Sequence, residues 1–439
     1  MSLSRFTFTD RARPVCQLGI GEVRVPATAR WDAHDWDDPG STWSGDVPSW
    51  VDVTCEQFTF ETTYGRQAST DRFAVGTATL VARNMSGWAD PHHVDVATQV
   101  SMRPGQRVRV GVDHAVHGRR WLFHGYIDAV RPSYNPDQAD TVQLDLIDAL
   151  GEVNRAKLAG LPDAPEEWAH YRINRLLDLA GWSWDRRHVD PTHFGVVTSP
   201  MSGQVADMLG QVADSAGGSI FGDLEARVVF RHHDWQTFHP DAPHDGVIGN
   251  VGPDDLCPAT WVRPFDRADI ATRVILGQGD TVVVHDDGYG QWLYGIEPFE
   301  RTDLLTTTAA ELDNLAVRYL QTRAAVTAPR ARAVSLDARN GDAYVDFMTL
   351  VDVFRPSRYR CRLALPRGLV FDEEYLAVGV HHQLDAHHWS VELALDLAAP
   401  YEAVYGNWDG SWWDQTVWAD AATLRDQAHA LLAKIGAAG

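Results

Sequence analysis

Between Arg103 and Arg155 apolar and polar residues alternate in short runs. Val108 and Val110, then Leu122, Phe123, Tyr126 and Ile127, then Val142, Leu144 and Leu146 recur with the period of a pleated strand. One face of each run can therefore be buried while the other stays wet. Pro104-Gly105, His117-Gly118 and Ser133-Tyr134-Asn135-Pro136 supply turn chemistry between the runs. The segment is predicted to be an antiparallel meander that curls into a small barrel, with Gly125 marking a bulge or sharp bend. Arg5–Thr9 and Glu22–Val25 alternate in the same way and predict a leading strand or two.

Beyond Arg155 the period changes. Ile173, Leu176, Leu177 and Ala180 recur at helical spacing within 166–180, and Gly181 follows as a stop. Val205, Met208, Leu209, Val212 and Ala213 mark a second helix, with Ser202 as its N-cap and Gly217-Gly218 as its end. Ile220–Asp223 and Ala226–Phe230 read as a hairpin, so 156–258 is expected to be an α+β insert. Strand patterns return around Trp261, at Arg273–Leu276, Thr281–Val284 and Gln291–Tyr294. Thr308 and Glu311 have capping-box spacing ahead of an apolar stripe of Leu312, Leu315, Ala316, Tyr319 and Leu320. Late strands are expected at Tyr375–Leu384 and Trp389–Leu397.

Those late strands echo the meander. Leu376–His382 around Gly379 resembles Leu122–Asp128 around Gly125, and Val391, Leu393 and Leu395 repeat the spacing of Val142, Leu144 and Leu146. The expected fold is mainly β: two related small β-barrel domains, an α+β insert between them and a C-terminal amphipathic helix. The expected divisions are an N-terminal segment 1–50, a first barrel 51–155, the insert 156–258, a second barrel with one helix 259–400, and a final segment 401–439.

Two tryptophan-rich stretches stand apart. Trp31, Trp36, Trp43 and Trp50 sit among acids, glycines and a proline, and Trp408, Trp412, Trp413 and Trp418 precede a helix with Leu424, Leu431 and Leu432 on one side. Both have too many breakers for one regular element but carry large apolar anchors, so these eleven residues are the candidate interface. Stacking on sugar rings is the alternative use of the tryptophans.

Composition narrows the chemistry. With 38 basic and 60 acidic residues the formal charge is −22, which argues against a protein that grips nucleic acid by its phosphates. Lysine occurs only at 157 and 434, and neither follows a glycine, so no phosphate-binding loop of the Gly-Lys-Ser/Thr type is present. Cys16, Cys55, Cys257 and Cys361 lie far apart and read as isolated, reduced core residues. The first residues lack the pattern of a signal peptide, and no run approaches 18 apolar residues, so no membrane span is expected.

Nineteen histidines invite a search for a metal or catalytic centre. His92-His93, His232-His233, His381-His382 and His387-His388 are adjacent pairs. On a strand such neighbours point to opposite faces and cannot share an ion. His114 and His117 with Asp113 are the looser option. His381 and Asp385 have one spacing of a wall-cutting zinc peptidase, but no two histidines are two apart, and neither a His-Glu-x-x-His nor a Gly-x-Ser-x-Gly motif occurs. No catalytic residue, metal ligand or cofactor is assigned, and the chain is expected not to be an enzyme.

Tyr64–Gln67, Ala78–Leu80, Arg103–Val110, Leu122–Asp128 and Val142–Asp148 together resemble the first barrel of the tail-tip hub (baseplate hub, minor tail protein) family of tailed bacteriophages, of siphophage type. The likeness extends more loosely to about residue 400. It implies a structural virion protein at the tail tip, made in the bacterial cytoplasm. As implied by the family, a homotrimer closes the tail tube, joins the distal tail ring, the tape measure protein and receptor-binding tip proteins, and lets DNA pass without specific binding. A hexameric distal tail protein, and a carbohydrate-binding or wall-hydrolysing tip protein, are the alternatives.

Overall fold

The computed structural model describes residues 11–20, 49–53, 58–66, 71–84, 87, 89, 102–134, 140–232, 244–250, 256–262, 270–324, 332–354, 358–364, 368, 370–385 and 387–397. The chain is mainly β, as the alternation predicts. Its first strands are β1 (Ala12–Ile20), β2 (Ser49–Asp52), β3 (Phe58–Gly65), β4 (Ala74–Arg83), β5 (Arg107–His114), β6 (Gly118–Ser133) and β7 (Thr141–Ile147). The predicted strands at Arg5–Thr9 and Glu22–Val25 lie outside the described residues.

Next come α1 (Ala149–Val153), β8 (Lys157–Leu158), β9 (Glu167–Trp168), α2 (Ala169–Leu179), β10 (Arg187–Val189), β11 (Gly195–Val196), β12 (Gly203–Gln204), α3 (Val205–Ser215), β13 (Ser219–Gly222) and β14 (Val228–Arg231). Ile173, Leu176, Leu177, Val205, Leu209 and Val212 bury one face of each longer helix in a shared apolar cluster with Ile220 and Phe230. Gly181 and Gly217 take positive φ just past the two helices, where an L side chain would be strained. Ser202 is not the N-cap. Gln204 holds that place without a side-chain bond, and Ser202 is exposed two residues upstream.

The rest of the chain supplies β15 (His244–Gly249), β16 (Thr260–Val262), β17 (Arg273–Gln278), β18 (Thr281–Asp286), α4 (Gly288–Tyr294), β19 (Pro298–Arg301), α5 (Ala309–Ala324), β20 (Ala333–Asp337), α6 (Asp342–Leu350), β21 (Arg358–Ala364), β22 (Val370–Asp385) and β23 (Trp389–Leu397). The expected strand at Gln291–Tyr294 is a helix instead. The Asp287 side chain caps it by accepting from Tyr289 N, and Gly295 ends it at φ +80. The capping box at Thr308 is present: Glu311 N donates to Thr308 Oγ1 and Thr308 N to Glu311 Oε2, each at 3.2 Å. Helix α5 packs on β17 and β18 around Val274, Leu276, Leu312 and Leu315, a small core of its own.

Thirteen strands form one sheet. Its path runs β16-β20-β23-β22-β3-β4-β7-β6-β5-β1-β2, with β21 and then β15 branching from β22. Among the described residues this path does not return on itself, so no barrel closes. One apolar core underlies both ends of the path, gathering Val108, Val110, Leu144 and Leu146 with Val334, Tyr375, Leu393 and Leu395.

Two six-strand runs within the sheet have the same order: β3-β4-β7-β6-β5-β1 and β16-β20-β23-β22-β21-β15. Their registers correspond rung by rung. Ala129 faces Asp145 directly after a bulge at Asp128, and Gly379 faces Ala394 directly after a bulge at Val378. Three residues earlier in each long strand, Tyr126 faces Arg107 and Leu376 faces Arg358. Val142, Leu144 and Leu146 thus stand where Val391, Leu393 and Leu395 stand, and all six are buried.

The match of Gly125 with Gly379 does not hold. By register Gly379 corresponds to Ala129, and Gly125 to Tyr375. Nor is Gly125 a bulge. The β6 ladder shifts around Leu122 and at Asp128 instead, and Gly125 is the point where the Ile147 carbonyl comes too close for any Cβ.

The halves differ in two ways. Strand β1 runs antiparallel to β5, whereas β15 runs parallel to β21. The last turns of β22 are flanked by β23 on one side and β3 on the other, which fuses the halves.

Candidate interaction surface

Ten of the eleven expected interface residues lie outside the described residues: Trp31, Trp36, Trp43, Trp408, Trp412, Trp413, Trp418, Leu424, Leu431 and Leu432. Trp50 is the exception. It lies half-buried on β2, opposite Gly19 of β1. The Arg109 guanidinium sits 3.8 Å from the centre of the Trp50 ring and 4.2 Å from that of Trp121, within cation–π reach of both indoles. Gln17 Oε1 accepts from Arg109 Nε and Nη2 at 2.9 and 2.7 Å. A planar cation suits this slot because it stacks and still directs its N–H groups sideways. Burial, with the nearby Arg119 charge, pulls Arg109 down to about 10. Trp50 also meets His124 edge-on at 5.2 Å, and burial holds that ring down to about 3.

His114 and His117 do come together with a carboxylate, but it is Asp346 of α6, with ligand-type atoms within 4.8 Å of one another. Asp113 is instead engaged by Arg119 at 2.5 Å. His114 Nδ1 accepts from the backbone N–H groups of Val116 and His117 at 3.2 and 3.0 Å. That fixes the proton on Nε2, which lies 2.9 Å from Asp346 Oδ1, so the nitrogen that would have to ligate a metal has no free lone pair. Arg11 reaches Asp346 at 2.5 Å and Asp342 at 3.0 Å, and the cluster fastens α6 to the β1–β5 ladder.

His381 and His382, adjacent on β22, face opposite sides, while His92, His93 and His233 lie outside the described residues. His382 is fully buried beside Trp389 and Tyr64, and burial lowers it to about 3. His381 is half-exposed and meets Thr63 Oγ1 at 2.8 Å. Asp385 is spent on the turn that follows, accepting from His387 N and His388 N at 2.6 and 2.8 Å. Cys361 is buried and its thiol is pushed up to about 12, so it is no nucleophile. Cys257 is exposed, contrary to the expectation of a core residue, because it lies just outside the sheet before β16. No helix among the described residues is long and apolar enough to cross a membrane.

Sequence reasoning missed the edges of the sheet. Beyond Ile127 the side of β6 that had faced β5 carries no strand, and β16 pairs only with β20, among the described residues. Such rows of backbone groups are templates for pairing with another chain. Tyr134, exposed, continues the first edge, and Val262, nearly half-exposed, lies on the second.

No protein family and no curated protein matches the sequence. Solved structures do share the fold. The tail protein from Neisseria meningitidis MC58 superposes with a TM-score of 0.54 at 13% identity, covering 80% of this chain and 95% of that one. The 43 kDa tail protein of prophage MuSo2 from Shewanella oneidensis gives 0.56 at 10% identity, covering 89% of this chain and 99% of that one.

Proposed function

We propose that this chain is a structural protein of a phage-type tail and that three copies form the hub at its tip. The observation that carries this reading is the internal repeat, six strands in one order occurring twice in one chain. A threefold ring of such chains presents six similar units and so meets a sixfold tube without a gap in symmetry. The shared fold with two tail proteins supports the setting. In this role the distal tail ring, the tape measure protein and receptor-binding tip proteins are its neighbours. DNA passes through without specific binding, in keeping with the charge of −22. The reading involves no catalysis: His382 lies in the core and Asp385 in the turn after β22. Imaging of assembled tails at a resolution that shows symmetry is the test. Three copies at the tip are expected, whereas six copies in a ring would assign the chain to the distal position and a single copy would end both.

A further inference from the structure

Asn340 and Gly341 lie between β20 and α6, and they are the one Asn-Gly pair in the sequence. A single 3-10 turn, Ala338–Asn340, ends there, held at its start by Asp337 Oδ1, which accepts from Arg339 N at 2.9 Å. Gly341 follows with φ +125, a conformation that suits glycine, and it heads α6 without a side-chain cap. Asn340 is exposed, and a Cβ placed on Gly341 would meet nothing within 4 Å. The pair is both accessible and uncrowded.

We propose that Asn340 is a site of spontaneous deamidation, converting in the folded chain to a mixture of isoaspartate and aspartate. Gly341 N attacks Asn340 Cγ, and no side chain on residue 341 screens the approach. The N–Cγ bond forms, the Cγ–Nδ2 bond breaks, and ammonia leaves with the proton given up by Gly341 N. Water then opens the five-membered imide. Addition at Cγ gives aspartate, whereas addition at the main-chain carbonyl breaks its bond to Gly341 N and gives isoaspartate, with the chain now running through the side-chain carbon. Water is the only co-reactant.

The interaction that opposes ring closure is the bond that Gly341 N donates to Ala338 O at 3.2 Å. It is single, long and set in an exposed turn, the kind of bond that opens without global unfolding. The N-terminus of α6 acts in the other direction, favouring negative charge first on the attacking amide and then on the new carboxylate. Other asparagines are held. Asn84 is buried with its Oδ1 accepting from Ala89 N at 3.0 Å, and the Asn174 amide donates to His170 O at 2.9 Å. The product matters because of what α6 anchors: Asp342 and Asp346 bond Arg11, and Val345 and Met348 lie in the main core. Isoaspartate adds a methylene to the chain just ahead of Asp342 and displaces that anchor, while aspartate adds only a charge that the helix N-terminus accepts.

The test uses the purified full chain and stands apart from the hub reading, since it needs no assembled tail. The chain is held at mildly alkaline pH in water enriched in heavy oxygen, then digested and read residue by residue by mass spectrometry. An isoaspartate-specific methyltransferase identifies the rearranged product. Heavy oxygen is expected at residue 340 well ahead of every other asparagine, faster as pH rises, and at a rate within about tenfold of that for the chain unfolded in urea. Asn340→Gln, whose longer side chain would have to close a six-membered ring, should remove the label. An Asn340 that stays intact in the folded chain and converts only in urea would overturn the proposal, because the fold would then protect the site. Equal labelling of Asn84 and Asn340 without urea would overturn it as well, since the reaction would then follow unfolding and not this turn. The isoaspartate fraction should unfold at a lower urea concentration than Asn340→Asp, and equal midpoints would refute the effect on α6.

Discussion

The two halves of the sheet solve one packing problem with different residues, and the contrast locates what each position must do. Val142, Leu144 and Leu146 bury the same rungs as Val391, Leu393 and Leu395, so the core tolerates little besides branched aliphatics there. Outside those rungs the halves diverge. Gly379 sits where β3 crosses, and a Cβ on it would lie 2.6 Å from Arg66 O. Its counterpart Ala129 carries a Cβ without difficulty, because no strand of the same chain approaches it there among the described residues. Identity is held where the core demands it and lost where the neighbour changes.

The sharpest way to break the comparison is at the joint. Gly65 has φ +104, and a Cβ there would stand 2.5 Å from both Gly379 Cα and Val378 O. Both atoms belong to backbone, so nothing flexible can yield. Gly65→Ala should cost about 4 kcal/mol from strain and overpacking combined. Ala129→Gly, on the counterpart edge, should cost about 1 kcal/mol or less from chain entropy alone. Urea unfolding of both variants checks the contrast, and similar losses would mean that the joint is no more tightly packed than the counterpart edge.

A second difference lies at the end of the repeated strand. Asp148 follows β7 and ties three elements: its Oδ2 accepts from Gly76 N of β4 and its Oδ1 from Gly151 N of α1, each at 2.7 Å, and its carboxylate packs against Gly222 of β13. The counterpart, at the end of β23, is Leu397. Burial raises Asp148 from 3.8 to about 6 and outweighs the backbone donors that favour the anion. Folding therefore favours the protonated acid. That stabilisation is fully present below the unfolded pKa and is lost as pH rises through about 6. Asp148→Asn stays neutral throughout and is the reference for other titrating groups. Between about pH 4 and about pH 7 the natural chain should lose about 3 kcal/mol relative to that variant. Denaturation midpoints across this range measure it, and parallel pH profiles would show that Asp148 is ionised at no cost.

Much of this was legible in local pattern. The period of the Val142 and Val391 strands, the capping box at Thr308 and the opposed faces of His381 and His382 depend on residues a few positions apart, where periodicity and capping act. The β22–β3 joint was not legible. Its partners are more than three hundred residues apart, and no alternation along either strand names the strand that will lie beside it. The echo of Gly125 in Gly379 failed for a related reason: bulges shift the register without leaving a residue type that announces them. Helix α4 resembles a strand in sequence because its seven residues are too few for the 3.6-residue period to stand out.

The smallest expected effect concerns an arginine with the same rung in both halves. Arg109 of β5 faces His124, and its counterpart Arg360 of β21 faces Glu374. Arg109 lies between Trp50 and Trp121 and is bonded twice by Gln17. Arg360 reaches Asp372 at 2.7 and 2.8 Å in an exposed pair. A partly desolvated cation over an aromatic face is worth about 1 kcal/mol and depends on the flat guanidinium, whereas an exposed ion pair holds its partner equally well through an ammonium. Arg109→Lys should therefore lower stability by about 1 kcal/mol, and Arg360→Lys should leave the unfolding midpoint unchanged. Salt separates the two further. Raising ionic strength weakens an exposed pair but acts less on a stacked and partly buried contact, so the loss caused by Arg109→Lys should persist at high salt. A loss that vanishes with added salt would reduce the Trp50 slot to an ordinary surface charge and remove the reason for β2 to dock where it does.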